Sequence, residues 1–311
     1  MIVVAGEALI DLVPADGPPA GDALPALRPQ RGGGPYNTAM ALGRLGSPTA
    51  FCSRVSRDGF GEALLERLRS DGVDTALVQR GPEPTTLAVA SIGADGSAGY
   101  NFYVGGTADR LFELPEALPE GVTALSLGTC SLVLEPGASA YEALLRREAR
   151  RGVFTALDPN IRTGLIPDAD AYRARFRGWL PYVNLLKLSV QDATWLAGEA
   201  DMDTAIGEWL AAGPAAVVLT HGGDGMTVRR QDGSGWSVPG ERVEVVDTIG
   251  AGDTVNAALL HRLASHDALS APAPAALGEE VWRDVLGFAA RAAAITCSRA
   301  GAEPPYAAEL D

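Results

Sequence analysis

The stretch VVDTIGAGDTVNAALL, residues 245–260, places three small residues, Gly250, Ala251 and Gly252, immediately before Asp253. An apolar pattern with helical spacing follows, so a helix is predicted to begin at this point. The first N–H groups of a helix have no partner within it, and together with the helix dipole they attract an anion. The two glycines would let the backbone approach such an anion closely, because glycine has no Cβ.

The carboxylate of Asp253 would oppose an anion at the same helix start, so it needs a different role. A carboxylate beside this pocket can take the proton of a hydroxyl group that attacks a phosphoryl group, while the helix N–H groups stabilise the growing charge. The structural alternative is that Asp253 is an ordinary N-cap, because aspartate is common at that position. Spacing alone leaves both roles open.

The composition indicates a folded α/β chain of 311 residues, 47% of them hydrophobic. The apolar start, MIVVAGEALI, lacks a basic region and a cleavage signal, so we expect a core strand rather than a signal peptide or a membrane span. Cys52, Cys130 and Cys297 are far apart, which argues against zinc and disulfides and favours a reducing cytoplasm. The net charge of −14 argues against nucleic-acid binding.

Apolar runs alternate with segments of helical spacing along most of the chain. The predicted strands are MIVVAG, TAFCSRV, VTALSLG, VFTALD, VNLLKLS and AAVVLTHG. The predicted helices are YNTAMALGRLG, GEALLERLRSDG, SAYEALLRREARRG, SVQDATWLAGE and MDTAIGEWLAAG. This alternation predicts an α/β fold with a mostly parallel central sheet flanked by helices, and ligands beyond the carboxyl ends of the strands.

Two stretches interrupt the alternation. Residues 11–30 are rich in proline and glycine, and residues 85–106 contain two β-runs joined by a turn at Asp95-Gly96. We expect both stretches to form a small β-sheet lid over one edge of the main sheet. Because no linker divides the chain, residues 1–311 are predicted to form a single domain, with residues 265–280 as a surface loop.

The segment DTIGAGDTVNAAL is similar to the signature D-T-x-G-A-G-D-x-F-x-A-x of the ribokinase-like (PfkB-type) carbohydrate kinases, with Val255 where that family usually has Phe. A second segment, GGGPYNTAMALGRLG at residues 32–46, resembles the N-terminal signature of the fructokinase-like branch. The resemblance continues to CSRAGAEP near the end of the chain and implies the ribokinase-like three-layer fold. The glycine motifs of P-loop kinases and dinucleotide-binding folds are absent from the sequence.

The resemblance implies roles for the opening stretch. Asp253 would be the catalytic base, and Asp247 would order the loop or hold a cation. The anion hole would consist of Gly250, Ala251 and Gly252.

On the sugar side, the resemblance implies that Asp11 in GEALID accepts hydrogen bonds from sugar hydroxyls. In GGGPYN, Gly33 and Gly34 would let the sugar approach the backbone, and Asn37 would offer it a donor and an acceptor. The structural alternatives are a strand-end aspartate at position 11 and a turn followed by an asparagine-capped helix.

The segment YNFYVGGTAD is similar to the lid of fructokinases and 2-keto-3-deoxygluconate kinases, which implies that Tyr103 covers the sugar. Val104 replaces the usual arginine, and this departure argues against acidic or strongly polar substrates. The segment DPNIR keeps the D-x-N-x-R motif of the same branch, so Arg162 is a candidate ligand for a carboxylate or hydroxyl. The structural alternative is that Asp158 and Arg162 only pair with each other to shape the loop.

The segment KLSVQD lies where the family has N-x-x-E, an element that the resemblance links to the nucleotide phosphates and, through water, to magnesium. In this chain the element consists of Ser189 and Asp192, and aspartate reaches one methylene less far than glutamate. Lys187, the chain's one lysine, is a candidate phosphate ligand or a solvated strand-end residue.

The segment THGGDG resembles the family's T-x-G-x-x-G loop, which implies nucleotide contacts for Thr220, Gly222 and Gly225. His221 within the loop is expected to be structural. Together these features predict an ATP- and magnesium-dependent sugar kinase, with a monovalent cation such as K⁺ as a further candidate cofactor.

Fructose is the leading predicted substrate, followed by 2-keto-3-deoxygluconate and then by ribose or a nucleoside. Two alternative functions of a different class are also considered. One is a non-catalytic regulator that binds sugar or nucleotide, and the other is an oxidoreductase built on a similar sheet. Pairing of two lids, common in the family, predicts a homodimer.

Overall fold

The computed structural model describes residues 1–15, 26–92 and 98–310. The predicted turn at Asp95-Gly96 and the middle of the stretch 11–30 lie outside these residues. The described strands are β1 (Ile2–Ala5), β2 (Leu9–Pro14), β3 (Leu27–Gly32), β4 (Thr49–Ser56), β5 (Val78–Gly81), β6 (Leu87–Ile92), β7 (Ala98–Tyr103), β8 (Ala124–Gly128), β9 (Phe154–Asp158), β10 (Leu185–Ser189), β11 (Ala216–Thr220), β12 (Met226–Arg230) and β13 (Gly235–Val238). The described helices are α1 (Gly34–Arg44), α2 (Gly59–Ser70), α3 (Gly137–Arg150), α4 (Ala169–Trp179), α5 (Val190–Ala197), α6 (Met202–Ala212), α7 (Ala251–Ser265), α8 (Ala273–Ala276) and α9 (Glu279–Cys297).

The main sheet has the strand order β13-β12-β11-β10-β9-β8-β1-β4-β5. All neighbours from β11 to β5 are parallel, and β12 and β13 extend the sheet as antiparallel strands. The central parallel strands are apolar along nearly their whole length because helices cover both faces of the sheet. The predicted α/β fold with a mostly parallel sheet is therefore confirmed.

Strand β1 shows how the two faces of the main sheet pack into separate hydrophobic cores. Ile2 and Val4 pack into one hydrophobic core, while Val3 and Ala5 pack into the other. The first core receives α1, α2, α7 and α9, through side chains such as Tyr36, Leu64, Leu259 and Trp282. The second core receives α3, α4, α5 and α6, through side chains such as Tyr141, Phe176, Leu196 and Trp209. The result is three layers, with the sheet between two layers of helices.

A second, smaller sheet has the order β3-β2-β6-β7 and is built from strands of the two stretches that interrupt the α/β alternation. Strand β2 pairs antiparallel with β3 and parallel with β6, and β6 pairs antiparallel with β7. Because β2 begins four residues after β1 ends, the small sheet is attached at the carboxyl end of β1. The expected small sheet is thus present at the edge where ligands of parallel sheets bind.

Every predicted strand and helix forms, and the structure contains further elements that are not among those predictions. These are α4, α9, β5 and the antiparallel hairpin of β12 and β13. The predicted surface loop at 265–280 is a connection between α7 and α9 that contains the single turn of α8. No helix in the described ranges combines the length and the apolar character that crossing a bilayer requires.

Candidate active site

The start of α7 presents free N–H donors. Gly250 is the N-cap residue and adopts a left-handed conformation with φ 76°, where an added Cβ would also lie 2.6 Å from the Ala302 Cβ. The N–H of Ala251 donates to the Thr248 carbonyl at 3.3 Å. Within the described ranges, the N–H groups of Gly250, Gly252 and Asp253 have no hydrogen-bond acceptor. The helix start therefore offers three free donors to an anion.

Asp253 does not cap this helix. It is the third residue of α7, and the N-cap position, Gly250, makes no side-chain cap bond. The side chain is 7% exposed and accepts a hydrogen bond from Asn37 Nδ2 on its Oδ2 atom at 2.8 Å. On the other side, Asn160 Nδ2 lies 3.5 Å from Oδ1. The alternative of an N-cap aspartate is therefore wrong, because the carboxylate is held between two amides from α1 and from the loop after β9.

The surroundings of Asp253 alter its acidity. Burial raises the pKa of the carboxyl group to about 7, and the negative charge of Asp158 acts in the same direction. The hydrogen bond from Asn37 and the charges of Lys187 and Arg162 lower it. A carboxyl group with a pKa near neutrality gains and loses a proton readily at physiological pH, which is the property a general base needs.

The glycine-rich segment brings α1 against Asp253. Gly33 is the N-cap residue of α1, and an added Cβ on Gly34 would lie 2.4 Å from Thr129 Cγ2 and 3.2 Å from Asp253 Oδ1. Only a residue without a side chain fits between these groups. The alternative of an asparagine-capped helix is wrong, because Asn37 lies inside α1 and points at the carboxylate.

The loop after β9 supplies Asn160 and Arg162. Asn160 adopts a left-handed conformation, φ 41°, which turns its side chain toward Asp253. Arg162 Nη1 donates to Asn160 Oδ1 at 2.7 Å. The alternative pairing of Asp158 with Arg162 does not form, because Asp158 Oδ2 instead accepts a hydrogen bond from Lys187 Nζ at 2.7 Å. Asn160 is not among the predicted site residues, although its place in the D-x-N-x-R motif is a usable signal.

Lys187 is not a solvated strand-end residue. Its side chain is buried, with the residue 4% exposed, and lies under the start of α7. A Cβ built on Gly252 would be 3.2 Å from Lys187 Nζ. The ammonium group therefore sits beside the free N–H donors of the helix.

Asp11 lies on the small sheet and faces the same region. Burial raises the pKa of its carboxyl group to about 6, and the charge of Arg162 lowers it. The alternation of side chains along paired strands puts Tyr100 and Phe102 on the same face as Asp11. Burial and the charge of Asp11 raise the pKa of the Tyr100 hydroxyl, while Arg162 lowers it, so these groups are close to one another.

The structure does not bring Tyr103 to this face. It pairs with Leu87, which pairs with Ile10, so its side chain points away from Asp11 and is 61% exposed. A strand reverses its side-chain direction at every residue, and the position one residue earlier, Phe102, faces the site. Tyr100 and Phe102, rather than Tyr103, therefore lie on the face of the small sheet that carries Asp11.

The Ser189 and Asp192 element forms a capping box at the start of α5. Ser189 Oγ and the Asp192 carboxylate bond to each other's backbone N–H groups, and Asp192 Oδ1 also accepts a hydrogen bond from the Ile161 N–H at 2.9 Å. Asp192 thereby fixes the loop that carries Asn160. Within the described residues, no group of three or more His, Cys, Asp or Glu side chains is arranged to hold a metal ion.

Asp247 orders the loop before α7. Its carboxylate accepts hydrogen bonds from the N–H groups of Ile249 at 3.0 Å and Gly301 at 2.9 Å. These contacts fit the first of its two predicted roles.

The THGGDG segment follows β11, beside Ser189 at the end of β10. Gly222 and Gly225 have φ values of 60° and 103°, which fold the segment into a tight turn after Thr220. His221 Nε2 lies 3.1 Å from Thr227 Oγ1, a contact within the main sheet that agrees with its expected structural role.

The family of the chain follows from comparison with known proteins. The family model described as "pfkB family carbohydrate kinase" matches residues 1–308. The chain belongs to this family, and it is a carbohydrate kinase, a phosphotransferase with the ribokinase-like fold. Membership excludes the oxidoreductase alternative.

Its relatives include fructokinases. The chain is 40% identical over 287 residues to a fructokinase of Rhizobium leguminosarum bv. trifolii, covering 91% of this chain and 86% of that one. A fructokinase structure from Xylella fastidiosa with bound ATP is 26% identical, with a TM-score of 0.89 and coverage of 99% and 97%. A fructokinase structure from Vibrio cholerae O395 with fructose, ADP and calcium is 25% identical, with a TM-score of 0.81 and coverage of 99% and 97%.

Proposed function

We propose that this protein transfers the γ-phosphoryl group of ATP to a hydroxyl group of fructose, with Asp253 as the general base. The observation that carries the proposal is the start of α7, where a buried carboxylate with a pKa near neutrality lies beside three free N–H donors. The fructokinase relatives support the choice of substrate and nucleotide.

In the proposed reaction, the Asp253 carboxylate and the N–H donors at the start of α7 have different tasks. A sugar hydroxyl close to Asp253 gives its proton to the carboxylate as its oxygen attacks the γ-phosphorus, and the bond from phosphorus to the β-phosphate oxygen breaks. The N–H groups of Gly250, Gly252 and Asp253 stabilise the negative charge on the transferring group. ADP leaves with the electron pair of the broken bond, and the proton is released from Asp253 to solvent.

The nucleotide side uses the turn after β11 and the element after β10. Thr220, Gly222 and Gly225 are proposed to contact the nucleotide, together with Ser189. When bound, Mg²⁺ neutralises phosphate charge, and its habit of retaining water ligands suits a residue such as Asp192 whose oxygens already accept hydrogen bonds. A monovalent cation near Asp247 remains a further prediction.

The sugar side uses the face of the small sheet that carries Asp11. The Asp11 carboxylate can accept hydrogen bonds from two hydroxyl groups, and Arg162 lies close enough to alter its pKa. A Cβ on Gly33 would meet the Glu7 carbonyl and one on Gly34 would meet Thr129, so these glycines let the start of α1 pack beside Asp253, where we propose that the sugar approaches their backbone and Asn37. Val104 contributes no charge, which suits a neutral sugar better than a sugar acid.

An ATP-consumption screen over ketoses, sugar acids and nucleosides, with identification of the phosphorylated product, tests the proposal. Fructose should give the highest kcat/KM. A higher value for 2-keto-3-deoxygluconate or a nucleoside would overturn the substrate assignment. Binding of fructose and ATP without formation of any phosphorylated product would favour the alternative of a non-catalytic regulator.

We also propose that the protein is a homodimer that pairs through its small sheet and that it works in the cytoplasm. Strands β3 and β7 are the edges of this sheet, and exposed edges are the surfaces that pairing protects. Sedimentation velocity at micromolar concentration tests the dimer, and a monomer at all concentrations would refute it. The cytoplasmic location rests on the cysteines, all three of which are free thiols.

A further inference from the structure

One buried ion pair lies directly behind the proposed catalytic groups and has no role in the reaction described above. Asp158 ends β9, Lys187 lies in the neighbouring strand β10, and their side chains meet at 2.7 Å with each 5% exposed. Taking two charges out of water costs about as much as their attraction returns, and apolar residues of similar volume often do as well. Fold stability alone therefore does not explain why charges stand at these two positions.

The pair is oriented toward the start of α7. Lys187 Nζ lies 3.2 Å from the position that a Cβ on Gly252 would occupy. Asp158 Oδ1 has no hydrogen-bond partner in the described part of the chain. Asp158 and Asp253 both line a cavity of about 10 Å³, which is roughly the space of one water molecule.

We propose that Asp158 is a positioning residue that holds the Lys187 ammonium beneath the amides at the start of α7, and that this pair sets the charge balance around Asp253. The inference rests on the proposed function, because it concerns the same base. It adds that two residues outside the reacting groups decide at which pH the base is active.

Within the described residues, the charged groups with the largest effect on Asp253 come from two neighbouring strands and the loop after one of them. They are Asp158 from β9, Lys187 from β10 and Arg162 from the loop after β9, while α1 contributes the uncharged Asn37 and Thr38. Asp158 itself also faces Asp192. With both members present, the negative and positive charges of the pair largely cancel at Asp253. Removal of one member leaves an uncompensated charge, whose sign fixes the direction of the effect.

The test compares the pH dependence of kcat/KM for sugar, at saturating MgATP, in the wild type and three variants. The acidic limb of each profile is the pH range in which kcat/KM falls as Asp253 becomes protonated. Asp158→Asn leaves the Lys187 ammonium without its partner and should move this limb down by about one pH unit. Lys187→Met removes a positive charge that faces both buried carboxyl groups, which makes protonation of Asp253 easier, and should move the limb up by a similar amount. The double variant is neutral and should lie between them.

A matched control removes an ion pair of α7, the helix that carries Asp253. Arg262 of α7 pairs with Asp284 of α9 at 2.7 Å, and Arg262→Met should leave the acidic limb in place. If Asp158→Asn and Lys187→Met both lower the rate without moving the limb, or move it in the same direction, the pair is only structural and the inference is overturned.

A second measurement does not depend on catalysis. In protein labelled with ¹³C at aspartate carboxyl groups, the resonance that disappears in Asp253→Asn reports the titration of Asp253 directly. Its midpoint should shift in the same two directions. A wild type that phosphorylates no acceptor would refute the proposed function, whereas an unshifted midpoint would refute only the role of Asp158 and Lys187. Thermal unfolding of each variant by circular dichroism establishes that it is folded.

Discussion

The two ends of the site differ in how they are held. At the proposed phosphoryl end, Asp253 is buried in the first turn of α7 and Lys187 is buried beside that turn, between helices and strands that pack into the main hydrophobic cores. At the sugar end, Tyr100 is 40% exposed, and the small sheet joins the main one through connecting segments. The end that we propose performs the chemistry is fixed by the core, whereas the proposed sugar end lies on a separate surface. Substrate choice can therefore change without disturbing the reacting groups.

The largest effect expected from this difference is at Asp253. Asp253→Asn keeps an oxygen acceptor for Asn37 but removes the base, and should lower kcat by roughly 10²–10⁴-fold. Nucleotide binding, followed by isothermal titration calorimetry, should survive. Turnover equal to that of the wild type would show that another group takes the proton.

A smaller effect is expected at the sugar end. Asp11→Asn removes a charged acceptor and should lower kcat/KM for the sugar by about 10- to 100-fold, since a hydrogen bond to a charged group is worth about 1.5–3 kcal/mol. The KM for ATP should stay within about twofold. Equal losses for both substrates would mean that Asp11 supports the structure of the whole site.

The pH dependence of kcat/KM should report the protonation of Asp253 at the buried phosphoryl end. Because the pKa of Asp253 is raised to about 7, its base form is present above that pH and is lost as the pH falls through it. Steady-state rates should give kcat/KM values that fall about tenfold per pH unit below this point. An acidic limb near pH 4 would instead mean that solvent reaches the carboxylate freely.

The smallest effects should separate the two faces of the small sheet. Tyr103→Ala should leave kcat/KM within about threefold of the wild type, because its side chain points away from Asp11. Phe102→Ala, on the facing side, should lower kcat/KM by about tenfold. A larger loss for Tyr103 than for Phe102 would contradict the strand register.

Much of the fold could be predicted because its signals are local. Buried parallel strands are apolar runs, and helices such as α1 and α6 have regular apolar spacing. The same signal is present in α4, which is not among the predicted helices although Tyr172, Phe176 and Trp179 are buried on one side of it.

The candidate site was predictable at the level of motifs and not of contacts. Asp253, Asn37 and the glycines carry sequence signatures, but the bond between Asp253 and Asn37 joins residues 216 positions apart. The pairing of Lys187 with Asp158 depends on which strands are neighbours, which the sequence does not state. The error over Tyr103 arose because a motif indicates that a segment is near the site, whereas the strand register decides which side chain faces it.

The burial of Lys187 has a further consequence for chemical labelling. The chain contains one lysine side chain, and the folded protein keeps it out of solvent. An acylating reagent directed at lysine can therefore react at this side chain only when the structure around α7 opens. The rate of that acylation, followed by mass spectrometry, would measure how often the catalytic end opens in solution, and a bound ligand that keeps it shut would slow the reaction.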